Sequence, residues 1–138
     1  MWTYRQIDGA LLDQNEKILS FGYSGAGAGK NNPEMENVHD VGPIPRGRYR
    51  IGKPVDTVTH GPRVLPLTPF PENKMFGRSG FLMHGDSVVN PGTASEGCIV
   101  QPRFARERVA ESGDDVLVVV RDEGDNFEDA EDAAVGEK

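Results

Sequence analysis

The sequence predicts a mainly β domain with one short helix and an acidic, disordered C-terminal tail. Glycine and proline are frequent, with 17 and 10 copies in 138 residues, which is typical of short strands joined by many turns. Apolar residues with helical spacing occur in one short stretch, after Pro102. Residues 122–138 hold eight acidic residues and one basic residue, a pattern typical of a solvated tail.

The first part of the chain predicts three strands followed by a long loop. Residues 2–6 and 11–12 flank Asp8-Gly9, a dipeptide that tolerates the positive φ of a tight hairpin turn. Residues 17–23 predict a third strand. Residues 24–43 are rich in Gly, Asn and Pro without a sustained period, so we expect a loop of the kind that often faces a substrate.

Further strands and one helix are predicted beyond the loop. Residues 44–51 alternate apolar and basic side chains as a half-buried strand does, with Tyr49 in the core. Four prolines in residues 61–80 favour an irregular edge or flap over a central strand. Residues 81–84 and 98–100 predict two short apolar strands.

The chain ends with a helix and a buried strand before the tail. Phe104, Ala105, Arg108 and Val109 are spaced as one helix face, with Pro102 at the start and Gly113 at the end. We expect the arginines of this helix, at positions 103, 106 and 108, to face solvent. The β-branched run 116–120 predicts a central strand buried on both faces.

Length and charge predict one domain, residues 1–121, followed by the acidic tail 122–138. The body carries as many acidic as basic residues, so it offers no electrostatic footprint for nucleic acid. The longest apolar run is too short to insert into a membrane. The start, MWTYRQIDG, lacks a basic region followed by an apolar one, so we expect synthesis in the cytoplasm without a Sec signal.

Two short segments carry candidate chemistry: His84-Gly85-Asp86 and Ser95-Glu96-Gly97-Cys98. A nucleophilic cysteine needs an imidazole to take its proton, and two strand ends joined by a loop can bring them together. Gly97 would allow a tight turn, nearby amide N–H groups could bind an oxyanion, and the carbonyl of Gly85 or the carboxylate of Asp86 could orient His84. Spacing alone leaves open that His84 is a strand-end histidine and Cys98 a core residue.

Metal and nucleotide sites are disfavoured by spacing. There is no CxxC or HxxxH pair, so we expect no metal. The glycines before Lys30 resemble a phosphate loop, but Ser24 and Asn31 stand where that motif has Gly and Ser or Thr. We therefore expect no cofactor.

The order His-Gly, loop, Ser-x-Gly-Cys resembles the active-site signature of the YkuD-type L,D-transpeptidases. Glu96 stands where those enzymes usually have a second histidine, and the loop is shorter. Several motifs together resemble the type VI secretion L,D-transpeptidase effector family: Tyr23-Ser24-Gly25, Lys30-Asn31-Asn32-Pro33, GPIPxGxYxI from Gly42, LMHGD from Leu82, and SEGCI from Ser95.

The resemblance implies a YkuD-like β-sandwich or barrel with Cys98 as nucleophile and His84 as base. It implies action on peptidoglycan stem peptides, either removal of the terminal D-alanine or its exchange for another D-amino acid. It further implies an antibacterial effector acting in the periplasm of a target bacterium, with an immunity protein in the producer. Candidate substrate-binding residues are Lys30, Asn31, Asn32, Ser95 and Glu96; for each, a role in a turn or on the solvated surface stays open.

Two rival functions stay open at this level. A non-catalytic cell-wall-binding or phage-associated module could keep the same fold without turnover. A cysteine peptidase or amidase could use the same residues on another stem bond. Thiol reactivity separates the first from an enzyme, because an activated cysteine reacts well below pH 8, and product masses separate the second.

Overall fold

The computed structural model describes residues 1–125. Most of the predicted acidic tail, residues 126–138, lies outside the described residues. The described part is mainly β with a single α-helix, as predicted. The strands are β1 (Trp2–Arg5), β2 (Ala10–Leu12), β3 (Ile18–Phe21), β4 (Tyr23–Ser24), β5 (Gly47–Ile51), β6 (Val55–Thr57), β7 (Gly61–Pro69), β8 (Leu82–His84), β9 (Ile99–Val100) and β10 (Val116–Val120), and the helix is α1 (Arg103–Glu111).

The strands form one sheet in the order β3-β2-β1-β10-β5-β7-β8-β9-β4, with β6 paired to β7 off this path. β10 lies between β1, to which it is parallel, and β5, to which it is antiparallel. Residues 117–120 of β10 are all buried. This confirms the central strand predicted from the β-branched run, because such side chains suit a sheet covered on both faces.

The expectation of an irregular edge at residues 61–80 is wrong for their first half. β7 is the longest strand and pairs with β5, β6 and β8. Its pairing with β6 ends at Val64 and that with β5 begins at Leu67, so Pro66 lies where the strand changes partner. A proline removes only its own N–H: the Pro66 carbonyl still accepts from Gly52 at 2.8 Å, and Leu67 N–H donates to Phe81 O at 3.0 Å.

The predicted long loop, residues 24–43, starts inside β4 at Ser24 and is ordered by two 3-10 helical turns, Gly27–Gly29 and Pro33–Met35. It lies between β4, at one edge of the sheet, and β5. A continuous apolar core fills the space between the sheet, the helix and the loops, with Tyr4, Tyr49, Leu65, Met83 and Leu117 fully buried. The core position predicted for Tyr49 is confirmed.

The helix α1 forms where predicted but buries a different face. Ala105, Arg106 and Val109 are buried, whereas Phe104 is 58% exposed. The expectation that Arg106 faces solvent is wrong. Its guanidinium donates to the carbonyls of Gln101, Arg63 and Pro62 at 2.8, 3.0 and 3.3 Å, and these bonds satisfy a cation that burial would otherwise penalise. Within residues 1–125 no helix is both long and apolar enough to cross a membrane.

Candidate active site

The sheet register brings the two candidate segments together. β8 and β9 are parallel neighbours, with Met83 opposite Ile99 and His84 opposite Val100. Cys98, one residue before β9, is therefore in register with Leu82. Because side chains alternate between the two faces of a strand, Cys98 and His84 project from the same face as diagonal neighbours, while Met83 and Ile99 point into the core.

That face forms the floor of a cleft of about 980 Å³. Its walls are the tip of the β6–β7 hairpin, residues 59–62, the segment 77–81, and the loops 84–88 and 93–98; His39, Asp40 and Arg106 complete the lining. Cys98 is half-buried and opens into this space. A half-buried thiol in a cleft is accessible to a peptide carbonyl, which a fully buried core cysteine would not be.

His84 is held in one tautomer. Its Nδ1 lies 2.8 Å from the carbonyl oxygen of Gly85. A carbonyl can only accept, so Nδ1 carries the proton and Nε2 keeps its lone pair. Nε2 is buried and has no hydrogen-bond partner among the described residues. An imidazole with one nitrogen anchored and the other free is arranged to accept a proton.

Both groups are neutral near pH 7. Burial lowers the pKa of His84; the bond to the Gly85 carbonyl opposes this shift, and the nearby His60 and Arg106 reinforce it. Burial raises the pKa of Cys98, opposed by the Leu82 N–H and by Arg78. Because His84 Nε2 is unpartnered, the two side chains are not hydrogen-bonded to each other, a separation common in substrate-free active sites.

The turn before Cys98 is built by two buried serines. Ser95 Oγ accepts from the N–H groups of Gly25 and Gly97 and donates to the Cys98 carbonyl at 2.6 Å. Ser24 Oγ donates to the Gly97 carbonyl at 2.8 Å and accepts from Ile44 N–H. Gly97 has a φ of +146°, in the region that favours glycine, as predicted for a tight turn. These bonds fix the direction in which the thiol projects.

Of the two groups that could orient His84, the Gly85 carbonyl does so, whereas Asp86 orders a loop. The Asp86 carboxylate accepts from Tyr23 Oη at 2.6 Å and from the N–H groups of Ser87 and Gly92. Tyr23 Oη in turn accepts from Ala94 N–H at 2.8 Å. Burial alone would raise the pKa of Asp86, but these bonds lower it. Tyr23 and Asp86 together therefore tie β4 to both ends of the loop 86–94, which forms one rim of the cleft.

The structure does not bring the other predicted binding residues into one group. Asn31 Oδ1 accepts from Ser24 N–H, and Asn32 caps the second 3-10 turn through Glu34 N–H. Lys30 Nζ lies 4.4 Å from the centre of the Tyr23 ring, outside the cleft lining. Glu96 is exposed at the rim, beside the thiol.

Three residues of the cleft were missed from the sequence. The ring of His60, at the β6–β7 tip, lies 4.7 Å from that of His84. Arg78 and Arg106 are buried beside Cys98 and His84, respectively. For Arg106 a signal was present, since its position three residues before Val109 puts it on the buried face of α1. Nothing in the local pattern marks Arg78 or His60.

No group of three or more His, Cys, Asp or Glu side chains within residues 1–125 could hold a metal ion. The chemistry that the cleft offers is that of a thiol, a neutral imidazole and backbone N–H groups. Together these can attack a carbonyl, accept the thiol proton and stabilise an oxyanion.

Comparison with known proteins agrees with the sequence motifs. The family model for the Tlde1 domain matches residues 20–116, more than half of the chain, and this range includes both His84 and Cys98. No curated protein matches. The chain belongs to the Tlde1 domain family, the type VI secretion L,D-transpeptidase effectors.

Proposed function

We propose that this chain is a peptidoglycan-modifying cysteine enzyme with Cys98 as nucleophile and His84 as general base. It removes the terminal D-alanine from tetrapeptide stems, as an L,D-carboxypeptidase, or exchanges that residue for another D-amino acid, as an L,D-transpeptidase. The observation that carries the proposal is the free, buried Nε2 of His84 in the same cleft as the half-buried thiol. Membership of an L,D-transpeptidase family supplies the substrate class.

The first half-reaction forms a thioester. His84 Nε2 takes the proton from the Cys98 thiol as Sγ attacks the carbonyl carbon of the residue before the terminal D-alanine. The tetrahedral intermediate collapses, the C–N bond breaks, and the D-alanine amine leaves with the proton held by His84. The Gly97 N–H already donates to Ser95 Oγ, so the Cys98 N–H is the candidate donor of this turn to the oxyanion.

The second half-reaction releases the stem peptide. Either water or the neutral amine of a D-amino acid attacks the thioester carbonyl and gives up a proton to His84 as the new bond forms; the C–S bond then breaks, and the leaving thiolate takes that proton from His84. Water yields a tripeptide stem and the amine yields an exchanged tetrapeptide, so the attacking group alone separates hydrolysis from transpeptidation. No step requires a metal or another cofactor.

Family membership supports further proposals about the fold and the place of action of the protein. We propose a YkuD-like arrangement of the sheet, with residues 1–121 as the catalytic domain and 122–138 as an acidic tail. We further propose that the protein is delivered by a type VI secretion apparatus and acts on stem peptides in the periplasm of a target bacterium. An immunity protein in the producing cell would then bind it.

The proposal is tested by mass spectrometry of purified tetrapeptide muropeptides after incubation with the protein, with and without D-methionine. We expect loss of D-alanine without the additive and a D-methionine product with it, in proportions set by water access to the thioester. Cys98→Ala should give neither product. His84→Ala should slow both by about 10²–10⁴-fold, the usual contribution of a general base.

Val89→Ala is the matched control, because Val89 is 86% exposed on the rim loop and does not line the cleft. Its product yield should equal that of the unmodified protein. Products that persist in Cys98→Ala would contradict the mechanism. Unchanged muropeptides with the unmodified protein would favour the non-catalytic wall-binding module, and cleavage at another stem bond would favour the peptidase or amidase.

A further inference from the structure

Arg78 is a buried arginine without a carboxylate partner among the described residues. It is 7% exposed and has no ion pair within them. Its Nη1 donates to the carbonyls of Glu36 and Pro43 at 2.7 and 2.8 Å, and its Nη2 to those of Gly42 and Glu96 at 2.9 and 3.3 Å. Four neutral carbonyls accept from its two terminal nitrogens, and among the described residues no carboxylate is bonded to it. Burial lowers its pKa, and Asp40 and Glu36 oppose this shift through their charge.

These four carbonyls belong to two separate parts of the chain. Three lie in residues 36–43, the end of the long loop, and the fourth belongs to Glu96 in the turn that carries the thiol. Arg78 also packs over the Phe81 ring at 5.2 Å and lies so close to Gly97 that a side chain there would overlap Nη2. The guanidinium therefore joins the long loop to the turn of Cys98.

The fork of an arginine suits this task better than a lysine would. Its planar guanidinium presents several N–H donors in fixed directions, whereas an ammonium is a compact point charge on a flexible stem. Its two terminal nitrogens donate to four carbonyls, which an ammonium with three N–H groups cannot serve together. The same atoms place a permanent positive charge next to Cys98, and a cation in a poorly hydrated site stabilises a neighbouring anion strongly.

We propose that Arg78 is a positioning residue of the active site: it locks the Cys98 turn against the long loop and supplies the charge against which the thiolate forms. The proposal rests on the proposed function for its catalytic meaning, but its effect on the thiol holds for the protein alone. Arg78 lowers the pKa of Cys98 against the larger, opposite effect of burial. The other charged or titratable groups that line this cleft are His39, Asp40, His60, His84, Asp86, Glu96 and Arg106.

Alkylation of Cys98 by iodoacetamide as a function of pH tests the charge, because the chain has a single cysteine. We expect Arg78→Gln to slow alkylation at pH 7 about tenfold, since the thiolate loses a nearby cation. Arg78→Lys keeps the charge and should react within about twofold of the unmodified protein. With tetrapeptide muropeptides, Arg78→Lys should lose at least about tenfold in kcat, because an ammonium on a flexible stem cannot hold all four carbonyls in place.

Arg106→Gln is the matched control, because Arg106 is equally buried and also binds backbone carbonyls, but beside His84. Its alkylation profile should follow that of the unmodified protein. Equal slowing in Arg78→Gln and Arg106→Gln would overturn the proposal, since the cause would then be general loosening. A profile of Arg78→Gln identical to that of the unmodified protein would also overturn it.

Arg78→Lys decides the question if Arg78→Gln does not fold. Near-normal alkylation with reduced kcat supports the proposal, and normal kcat or strongly slowed alkylation overturns it. Should the unmodified protein leave muropeptides unchanged, the proposed enzymatic function fails. The alkylation comparison of Arg78→Gln and Arg106→Gln still decides the effect of Arg78 on the thiol.

Discussion

A single backbone carbonyl determines what His84 can do. Because Gly85 O accepts from Nδ1, the imidazole keeps an unprotonated Nε2, and burial disfavours protonation of that nitrogen. The thiol is neutral as well, since burial raises its pKa. The pair therefore differs from a preformed thiolate–imidazolium pair, and its proton transfer accompanies attack on the substrate. Fast alkylation well below pH 8, the mark of an enzyme expected from the sequence, therefore does not separate this enzyme from a binding module.

This neutral pair predicts the pH dependence of activity. The pKa of His84 is lowered from its ordinary value of 6.5, chiefly by burial, which disfavours the imidazolium. The base therefore stays active as the pH falls through 6.5 and is lost only at lower pH. In a profile of kcat/KM for D-alanine release we expect the acid limb to lie below pH 6.5; a half-maximal point above that value would contradict the neutral, buried base.

At this scale the sequence was informative only for residues that form a recognisable pair. His84 is followed by Gly85, and Cys98 is preceded by Gly97. An imidazole and a thiol in this sequence setting form a known pattern. Arg78 and Arg106 did not stand out, because arginine is mostly exposed and its burial depends on carbonyls from distant segments. The roles of Ser24 and Tyr23 depend on the same long-range contacts, as in the bonds to Gly97 and Asp86.

At the scale of elements, the turn before Cys98 tolerates no side chain at Gly97. In Gly97→Ala the new Cβ would overlap Arg78 Nη2 and approach Phe81, and the residue would keep a positive φ. We expect a loss of about 1–3 kcal/mol of unfolding free energy and loss of D-alanine release. Gly27→Ala is the control, because Gly27 also has a positive φ but open space around it. Equal stability losses in urea unfolding would show that the contact with Arg78 is unimportant.

The rim loop depends on one phenol. Tyr23→Phe removes the hydroxyl that donates to Asp86 and accepts from Ala94 N–H. We expect a loss of about 1.5–3 kcal/mol, the range for hydrogen bonds to charged groups, and faster hydrogen exchange in residues 86–94. Tyr4→Phe should cost almost nothing, because the buried Tyr4 Oη has no hydrogen-bond partner among the described residues. A Tyr23→Phe protein as stable as Tyr4→Phe would contradict this assignment.

Strands and helices were predicted correctly where neighbouring residues in the sequence are enough to determine them. β10 follows from a β-branched run, and α1 from a proline, helical spacing and a terminal glycine. β7 was missed because its prolines are normally excluded from central strands. The prolines are tolerated because β7 changes its pairing partner from β6 to β5 along its length, and this pairing is a property of the whole sheet.

For the whole molecule, the boundary between the catalytic domain and the acidic tail stays a prediction that the described residues 122–125 make testable. The Asp125 carboxylate lies 2.5 Å from Arg46 and accepts from the Arg121 N–H. We expect a chain ending at residue 121 to lose about 1–3 kcal/mol relative to one ending at 125, because a partly buried arginine loses its partner. A loss of that size would move the end of the packed domain from the proposed residue 121 to residue 125, and equal unfolding free energies in urea would keep it at 121.

The fold serves the proposed reaction by placing two side chains on one face of adjacent parallel strands and surrounding them with loops. The tip of the β6–β7 hairpin covers His84 through His60, and the rim loop is tied to β4 through Tyr23. The long loop reaches the thiol through Arg78. Contacts from three different parts of the chain thus hold the β6–β7 tip, the rim loop and the long loop in place around the site.

The measurement that tests the central claim most directly is the intact mass of the protein during reaction with a tetrapeptide muropeptide, quenched in acid at early times. We predict an adduct equal to the muropeptide minus D-alanine, located on Cys98 by peptide mapping, which decays as product forms. The adduct should be absent in Cys98→Ala and should form far more slowly in His84→Ala. D-Alanine release without any adduct, or an adduct on another residue, would contradict covalent catalysis by Cys98.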